Sequence, residues 1–245
     1  MTRNSRFGVI TGTGVTEHFG VSVPEKVETK YGSAQVYRSG EGGYYFLPRH
    51  GPGHTVPPHM INYRANLAAL EKLGVRKVIA TSAVGSMKPG FGVGRIGLVD
   101  QFLDFTKRRN ETFFSEEVTH TDMTNPYSSG LNRALGRAGD DFGVRLSRGL
   151  VYVCAEGPRF ETAAEIRMYR KLGGDVVGMT GVPEVVLANE KDMEYASVVI
   201  ATNWAAGIQK KVSHEEVVKV MKKTGMVVKE LIDATIKRLE SGGSD

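Results

Sequence analysis

Seven short apolar segments punctuate the chain, each bounded by glycine or a turn: Phe7 to Ile10, Gly43 to Leu47, Lys77 to Ala80, Gly97 to Val99, Leu150 to Cys154, Asp175 to Met179 and Ala196 to Thr202. Continuous apolar runs of this length predict strands covered on both faces. Helical periodicity fills several of the intervals. From His59 to Gly74, Met60, Tyr63, Leu67 and Leu70 recur at three- and four-residue steps behind Pro57-Pro58, which predicts a helix with one buried stripe, ended by Gly74. A second helix is predicted from Ala163 to Leu172, carrying Ile166 and Tyr169 inward and stopped by Gly173-Gly174. The longest starts at Ser213-His214-Glu215-Glu216, which has capping-box spacing, and keeps Val217, Val220, Met221, Thr224, Val228, Leu231 and Thr235 on one face.

This alternation predicts a single α/β domain over residues 1–245, with no linker or repeat to divide it. Residues 100–135 are the least regular stretch and read as an elaborated insertion, with a turn at Asn125-Pro126-Tyr127. Ser241 to Asp245 read as a frayed tail. With 40% hydrophobic and 24% charged residues, the chain is unlike disordered, collagenous or disulfide-rich sequences. A net charge of +5 is scattered in short clusters such as Lys107-Arg108-Arg109 and Lys222-Lys223, which predicts solvated faces rather than a nucleic-acid partner. A lone cysteine, Cys154, excludes an intrachain disulfide and a thiolate zinc cluster, and fits a reducing compartment. The polar start Met1 to Arg6 runs directly into the first strand, and no run reaches membrane-spanning length, so a cytoplasmic protein without a membrane partner is expected.

Candidate chemistry lies where strands meet loops. Thr11-Gly12-Thr13-Gly14 follows the first strand and could turn backbone N–H groups and a hydroxyl toward an anion, although taken alone such a segment is more often just a turn. It lacks the third glycine and the later acid of a dinucleotide fingerprint. Arg49-His50-Gly51 closes the second strand with a guanidinium fork and an imidazole, or is a surface loop. Ala80-Thr81-Ser82-Ala83-Val84-Gly85-Ser86 places hydroxyls and small residues at a predicted strand end, where ligands of open α/β sheets bind. Together the three point to an oxyanion, with phosphate the leading candidate. Between Ala155 and Ala188, Glu156-Gly157-Pro158-Arg159-Phe160-Glu161-Thr162 and Gly178-Met179-Thr180-Gly181-Val182-Pro183-Glu184 bring acids, an aromatic ring and a methionine near strand ends. Such a set could sandwich a flat heterocycle, or Phe160 and Met179 could be core.

In this order, and with Thr202-Asn203 after them, these motifs resemble the trimeric purine nucleoside phosphorylases and methylthioadenosine phosphorylases, from Val9 to about Val217. The resemblance implies a mixed, partly barrel-like central sheet flanked by helices. It also implies a homotrimer with active sites near subunit interfaces, pairing of trimers into hexamers being left open. The implied reaction is phosphorolysis in purine salvage: inorganic phosphate, a co-substrate, displaces a purine from C1′ of ribose without metal or cofactor. By the same resemblance, Thr13, Arg49, His50, Ser82, Ala83 and Thr180 form the phosphate site. Phe160 flanks the base, Met179 meets the ribose hydroxyls through its backbone, and His120 crosses to a neighbouring subunit's ribose. His50 with Asn203 and Glu161 then form the catalytic set.

Substrate choice is expected to follow Asn203 and Glu161. Methylthioadenosine phosphorylases resemble the chain elsewhere but carry an aspartate and a serine at these two positions, whereas 6-oxopurine enzymes carry asparagine and glutamate. An amide can donate to O6 or N7, and a carboxylate accepts from N1–H, so the pair suits inosine or guanosine. Ser213-His214-Glu215-Glu216-Val217 resembles the segment whose histidine bonds the ribose 5′-hydroxyl. Asn203-Trp204-Ala205-Ala206-Gly207 and Val118-Thr119-His120-Thr121-Asp122 also look like methylthioinosine phosphorylases. The expected activity is therefore 6-oxopurine nucleoside phosphorolysis, with S-methyl-5′-thioinosine or 5′-methylthioadenosine as the alternative substrate.

Overall fold

Strand β1 (Phe7–Thr11) is buried along its whole length, as its apolar run predicts. In the computed structural model, which describes residues 7–19, 23–40 and 43–242, β1 pairs in parallel with β4 (Tyr45–Pro48) on one edge and β5 (Lys77–Ser86) on the other. The polar start and the last three residues of the tail lie outside the described residues. A hairpin, β2 (Glu25–Thr29) and β3 (Gly32–Arg38), extends the sheet antiparallel to β4. On the other side come β6 (Ile96–Phe105), β7 (Leu146–Ala155), β8 (Val176–Gly178) and β9 (Glu194–Trp204). Because β5 bonds both β8 and β9, the order β5-β8-β7-β6-β9 closes on itself as a five-stranded barrel, and β2-β3-β4-β1 forms a wing. The sheet is mixed: β5–β9, β6–β7 and β7–β8 are parallel, while β5–β8 and β6–β9 are antiparallel.

Helices cover both faces. On one, α1 (Tyr63–Lys72) and α4 (Gly181–Asn189) pack Leu67, Leu70, Val185 and Leu187 against Ile10 and Ala80. On the other, α2 (Ser129–Asp141) and α5 (His214–Glu240) pack Leu131, Leu135, Leu231 and Ile232 against Val9 and Ile79. Successive residues of β1 thus feed opposite cores, which is why the run shows no polar alternation. α3 (Ala163–Lys171) buries Ile166 and Tyr169 with Val153 and Val177 in a smaller cluster.

Several boundaries differ from expectation. Asn62 caps α1 by accepting from the Ala65 N–H at 3.0 Å, so the helix starts four residues beyond His59; Met60 sits in a separate turn, 65% exposed. Residues 100–135 hold more order than composition suggests, since β6 continues to Phe105 and α2 begins at Ser129. At α5 only half of the capping box forms: Ser213 Oγ accepts from the Glu216 N–H, while the Glu216 carboxylate accepts from Gln209 instead. The complete box is at α3, between Thr162 and Glu165.

One feature of the sheet prepares a site. β1 pairs with β5 only through Ala80, and β8 pairs with the same edge of β5 only from Gly85. Between them, residues 81–84 of β5 have no strand neighbour on that edge among the described residues.

Candidate active site

The gap in the sheet opens into a cleft of about 410 Å³. Its walls come from the turn after β1 at Gly12 and Thr13, the 49–58 loop, the middle of β5, the 158–161 segment, the β8–α4 junction, the end of β9 and the start of α5. Eleven sequence-predicted residues line it: Thr13, Arg49, His50, Ser82, Ala83, Phe160, Glu161, Met179, Thr180, Asn203 and His214. His120 does not line it; it lies exposed on the irregular segment between β6 and α2. Ser82 and Ala83 are inside β5 rather than at its end, and they reach the cleft because the neighbouring strand stops short.

Arg49 is 2% exposed and almost wholly engaged. Its Nε and Nη2 donate to the two Glu184 carboxylate oxygens at 2.9 and 2.6 Å, and Nη1 donates to the Thr81 carbonyl at 2.6 Å. Tyr195 Oη donates to the same carboxylate at 2.7 Å. Burial works against the Arg49 charge, but the fully buried Glu184 outweighs it and holds the guanidinium protonated. Two guanidinium hydrogens, one on each Nη, remain for a ligand. The Thr81 carbonyl marks the open edge of β5, and strand alternation puts the Ala83 amide on that same edge. Gly12 completes the corner: its N–H donates to Thr81 Oγ1 at 3.0 Å, and a Cβ there would meet the Thr81 carbonyl oxygen at 2.8 Å.

His50 donates away from the cleft. Its Nδ1 lies 2.9 Å from the Val56 carbonyl, which can only accept, so Nδ1 carries the hydrogen and Nε2 is left as an acceptor. Burial first, then Arg49, outweigh that bond and push its pKa down to about 3, so the ring is neutral at physiological pH. Against it packs His54, 4.2 Å away between ring centroids, and His214 lies 6.2 Å beyond His54. Desolvation and His214 hold His54 below the ordinary histidine range as well. His54 sits in the left-handed region (φ 58°), a conformation uncommon for a side-chain-bearing residue and concentrated at functional sites. Its Nε2 is 3.4 Å from Thr13 Oγ1.

Hydroxyls furnish the rest of this end. Ser82 Oγ and Thr180 Oγ1 are 3.4 Å apart, both buried. Thr180 is positioned by Tyr152, whose hydroxyl oxygen accepts the N–H groups of Thr180 and Gly181 at 3.2 and 3.4 Å. The approach is close: a Cβ on Gly178 would collide with that oxygen.

At the other end, Asn203 is 6% exposed. Thr202 Oγ1 donates to its Oδ1 at 2.9 Å, and its Nδ2 donates to the Trp204 carbonyl at 2.9 Å. These partners fix the amide's orientation and leave the second Nδ2 hydrogen unclaimed among the described residues. Glu161 has its pKa raised by burial, with Glu165 adding to the rise and Arg159 opposing it. Phe160 is 39% exposed at the rim. A pocket results with an anion-suited end and an end suited to a planar polar group, lined between by Met179 and Val84. Among the described residues, no group of three or more His, Cys, Asp or Glu side chains could hold a metal.

The sequence singles out neither His54 nor Tyr152, and it places Glu184 at the end of a motif without revealing its pairing with Arg49. His54 is three residues past the Arg49-His50-Gly51 motif, and its proximity depends on the left-handed turn. Glu184 at a helix start reads as a dipole complement, and Tyr152 within an apolar strand reads as core.

Residues 6–237 match the family model described as the phosphorylase superfamily. A Pyrococcus furiosus protein named 6-oxopurine nucleoside phosphorylase is 47% identical, covering 94% of this chain and 92% of that one. A Methanopyrus kandleri protein named probable S-methyl-5′-thioinosine phosphorylase is 48% identical, covering 94% and 91%. Among solved structures, methylthioadenosine phosphorylase from Schistosoma mansoni in complex with tubercidin superposes with a TM-score of 0.89 at 29% identity, covering 98% of this chain and 93% of that one.

Proposed function

The chain belongs to the phosphorylase superfamily, and from that membership and the cleft we propose that it is a purine nucleoside phosphorylase of 6-oxopurine type. It cleaves inosine or guanosine with inorganic phosphate, giving free base and ribose 1-phosphate. The observation that carries the base preference is the fixed amide of Asn203. Its carbonyl oxygen is turned to the Thr202 hydroxyl and one Nδ2 hydrogen is unclaimed, so toward a ligand it offers a donor, which suits N7 of any purine but pairs with the 6-position only when that carries an oxygen. The Glu161 carboxylate accepts from N1–H on the next edge.

In this reading phosphate lies at the gap in β5. Thr13, Ser82 and Thr180 contribute hydroxyls, Ala83 its amide and Arg49 its two free hydrogens. Phe160 and Met179 bracket base and ribose, and His214 meets the 5′ end. As the glycosidic bond breaks, negative charge flows into the purine and positive charge onto ribose. Asn203 and Glu161 hold the leaving purine, and the phosphate, fixed beside His50, captures C1′. Preorganised donors of this kind contribute about 3–4 kcal/mol each to lowering the barrier. The proposal extends to a homotrimer in which His120 reaches a neighbour's ribose, a role in purine salvage and a cytoplasmic location.

A second reading keeps the base but changes the tail to a methylthio group. Val56, Pro57 and Val217 beside His214 give the 5′ end an apolar component, and the Methanopyrus kandleri relative carries that name. Among initial rates with inosine, guanosine, 5′-methylthioinosine and adenosine, the ratio of inosine to 5′-methylthioinosine decides between the two readings, and the ratio to adenosine tests the base they share. The proposal expects the oxo nucleosides to exceed adenosine by at least about tenfold in kcat/KM; equal adenosine turnover contradicts it.

A further inference from the structure

Resting on the phosphate assignment above, we propose that His50 makes the site selective for protonated oxyanions by accepting the P–OH hydrogen of hydrogen phosphate at Nε2. Among the residues lining the cleft, Arg49 is the only arginine or lysine, and the bidentate Glu184 carboxylate balances its charge. Net positive charge therefore does not select the anion; the pattern of donors and acceptors must. Nearly every group at this end is a donor or a rotatable hydroxyl. His50 differs, because the Val56 carbonyl at 2.9 Å claims its Nδ1–H and cannot exchange roles. The ring is 7% exposed, and Nε2 has no protein hydrogen-bond partner among the described residues although His50 lines the cleft.

A fixed acceptor in a largely buried anion site needs a hydrogen from the ligand. Both forms of inorganic phosphate present near neutral pH carry at least one P–OH, and arsenate does likewise. Sulfate and monofluorophosphate are dianions of similar size and shape with no hydrogen to give. Their outer atoms would place lone pairs against the Nε2 lone pair, leaving a buried acceptor unmatched. A mismatch of that kind is worth about 10- to 100-fold in affinity.

Isothermal titration of the intact protein with phosphate, sulfate and monofluorophosphate at pH 7.5 tests this. The expected result is sulfate and monofluorophosphate both binding at least about tenfold more weakly than phosphate, with arsenate near phosphate. His50→Gln, whose amide can turn its NH2 toward the anion, is expected to shrink the gap to about threefold or less. Wild-type binding of both unprotonated dianions within about threefold of phosphate overturns the proposal, as does an unchanged gap in a folded His50→Gln protein. The wild-type comparison stands alone if the variant does not fold. Phosphate-dependent inosine cleavage by the same preparation separates the two levels: its absence sinks the functional reading, whereas its presence with no anion discrimination sinks only the role of His50.

Discussion

Asn203 and Arg49 each do their work through a neighbour that fixes them. For Asn203 the neighbour is Thr202, whose hydroxyl orients the amide and leaves an Nδ2 hydrogen for the ligand. Asn203→Asp replaces that donor with an acceptor, so the ratio of kcat/KM for inosine over adenosine is expected to fall by about 10- to 100-fold, read from initial rates on both nucleosides. An unchanged ratio would remove the base assignment. For Arg49 the neighbour is Glu184, and the pair is fully buried. Truncation by Glu184→Ala strands a buried guanidinium, so urea unfolding should show a loss of about 3–5 kcal/mol. KM for phosphate should change with it, because two of Arg49's donors lose their anchor. The motifs carrying Arg49, His50, Ser82, Thr180 and Asn203 were legible as sequence. What each atom is free to do was not: the tautomer of His50 depends on the Val56 carbonyl six residues away, and the Arg49 clamp on a glutamate 135 positions on.

The interrupted edge of β5 is the element on which the anion site depends. Gly12 sits where β1 gives way to that edge, and a methyl group there would press on the Thr81 carbonyl at 2.8 Å and on Arg49 Nη1 at 3.0 Å. Gly12→Ala is therefore expected to raise KM for phosphate at least about fivefold while changing KM for the nucleoside less, as two-substrate kinetics would show. The buried strands were readable from their apolar runs, but the gap was not, since it arises from how far two partners extend along a third. α2 was missed because Gly136 and Gly139 look like breakers. They are small because β7 packs close: Cβ atoms there would lie 2.6 Å from Arg148 and 2.9 Å from Leu146. β2 and β3 escaped notice for the opposite reason. They form a largely exposed edge hairpin that buries only Val27, Ala34 and Val36.

For the molecule as a whole, burying neutral histidines ties stability to pH. His50 titrates near 6.5 when unfolded and about 3 when folded, so the unfolded chain binds more protons across that interval. The contribution is fully present above about pH 6.5 and is lost as pH falls toward 3; His54, shifted the same way, adds to it. Urea midpoints should drop between pH 7 and pH 5, and His50→Gln should flatten that slope. The proposed homotrimer adds a second expectation: light scattering should give three times the 26.7 kDa chain mass, or six times if trimers pair. No described helix is long and apolar enough to cross a membrane.

The coupling of an anion to a departing purine is tested most directly by following phosphorus-31 resonance and base release together during inosine cleavage. The expected outcome is one ribose 1-phosphate formed and one inorganic phosphate consumed per hypoxanthine released, with no release when phosphate is omitted. Hypoxanthine appearing with free ribose while the phosphate signal stays constant would contradict it.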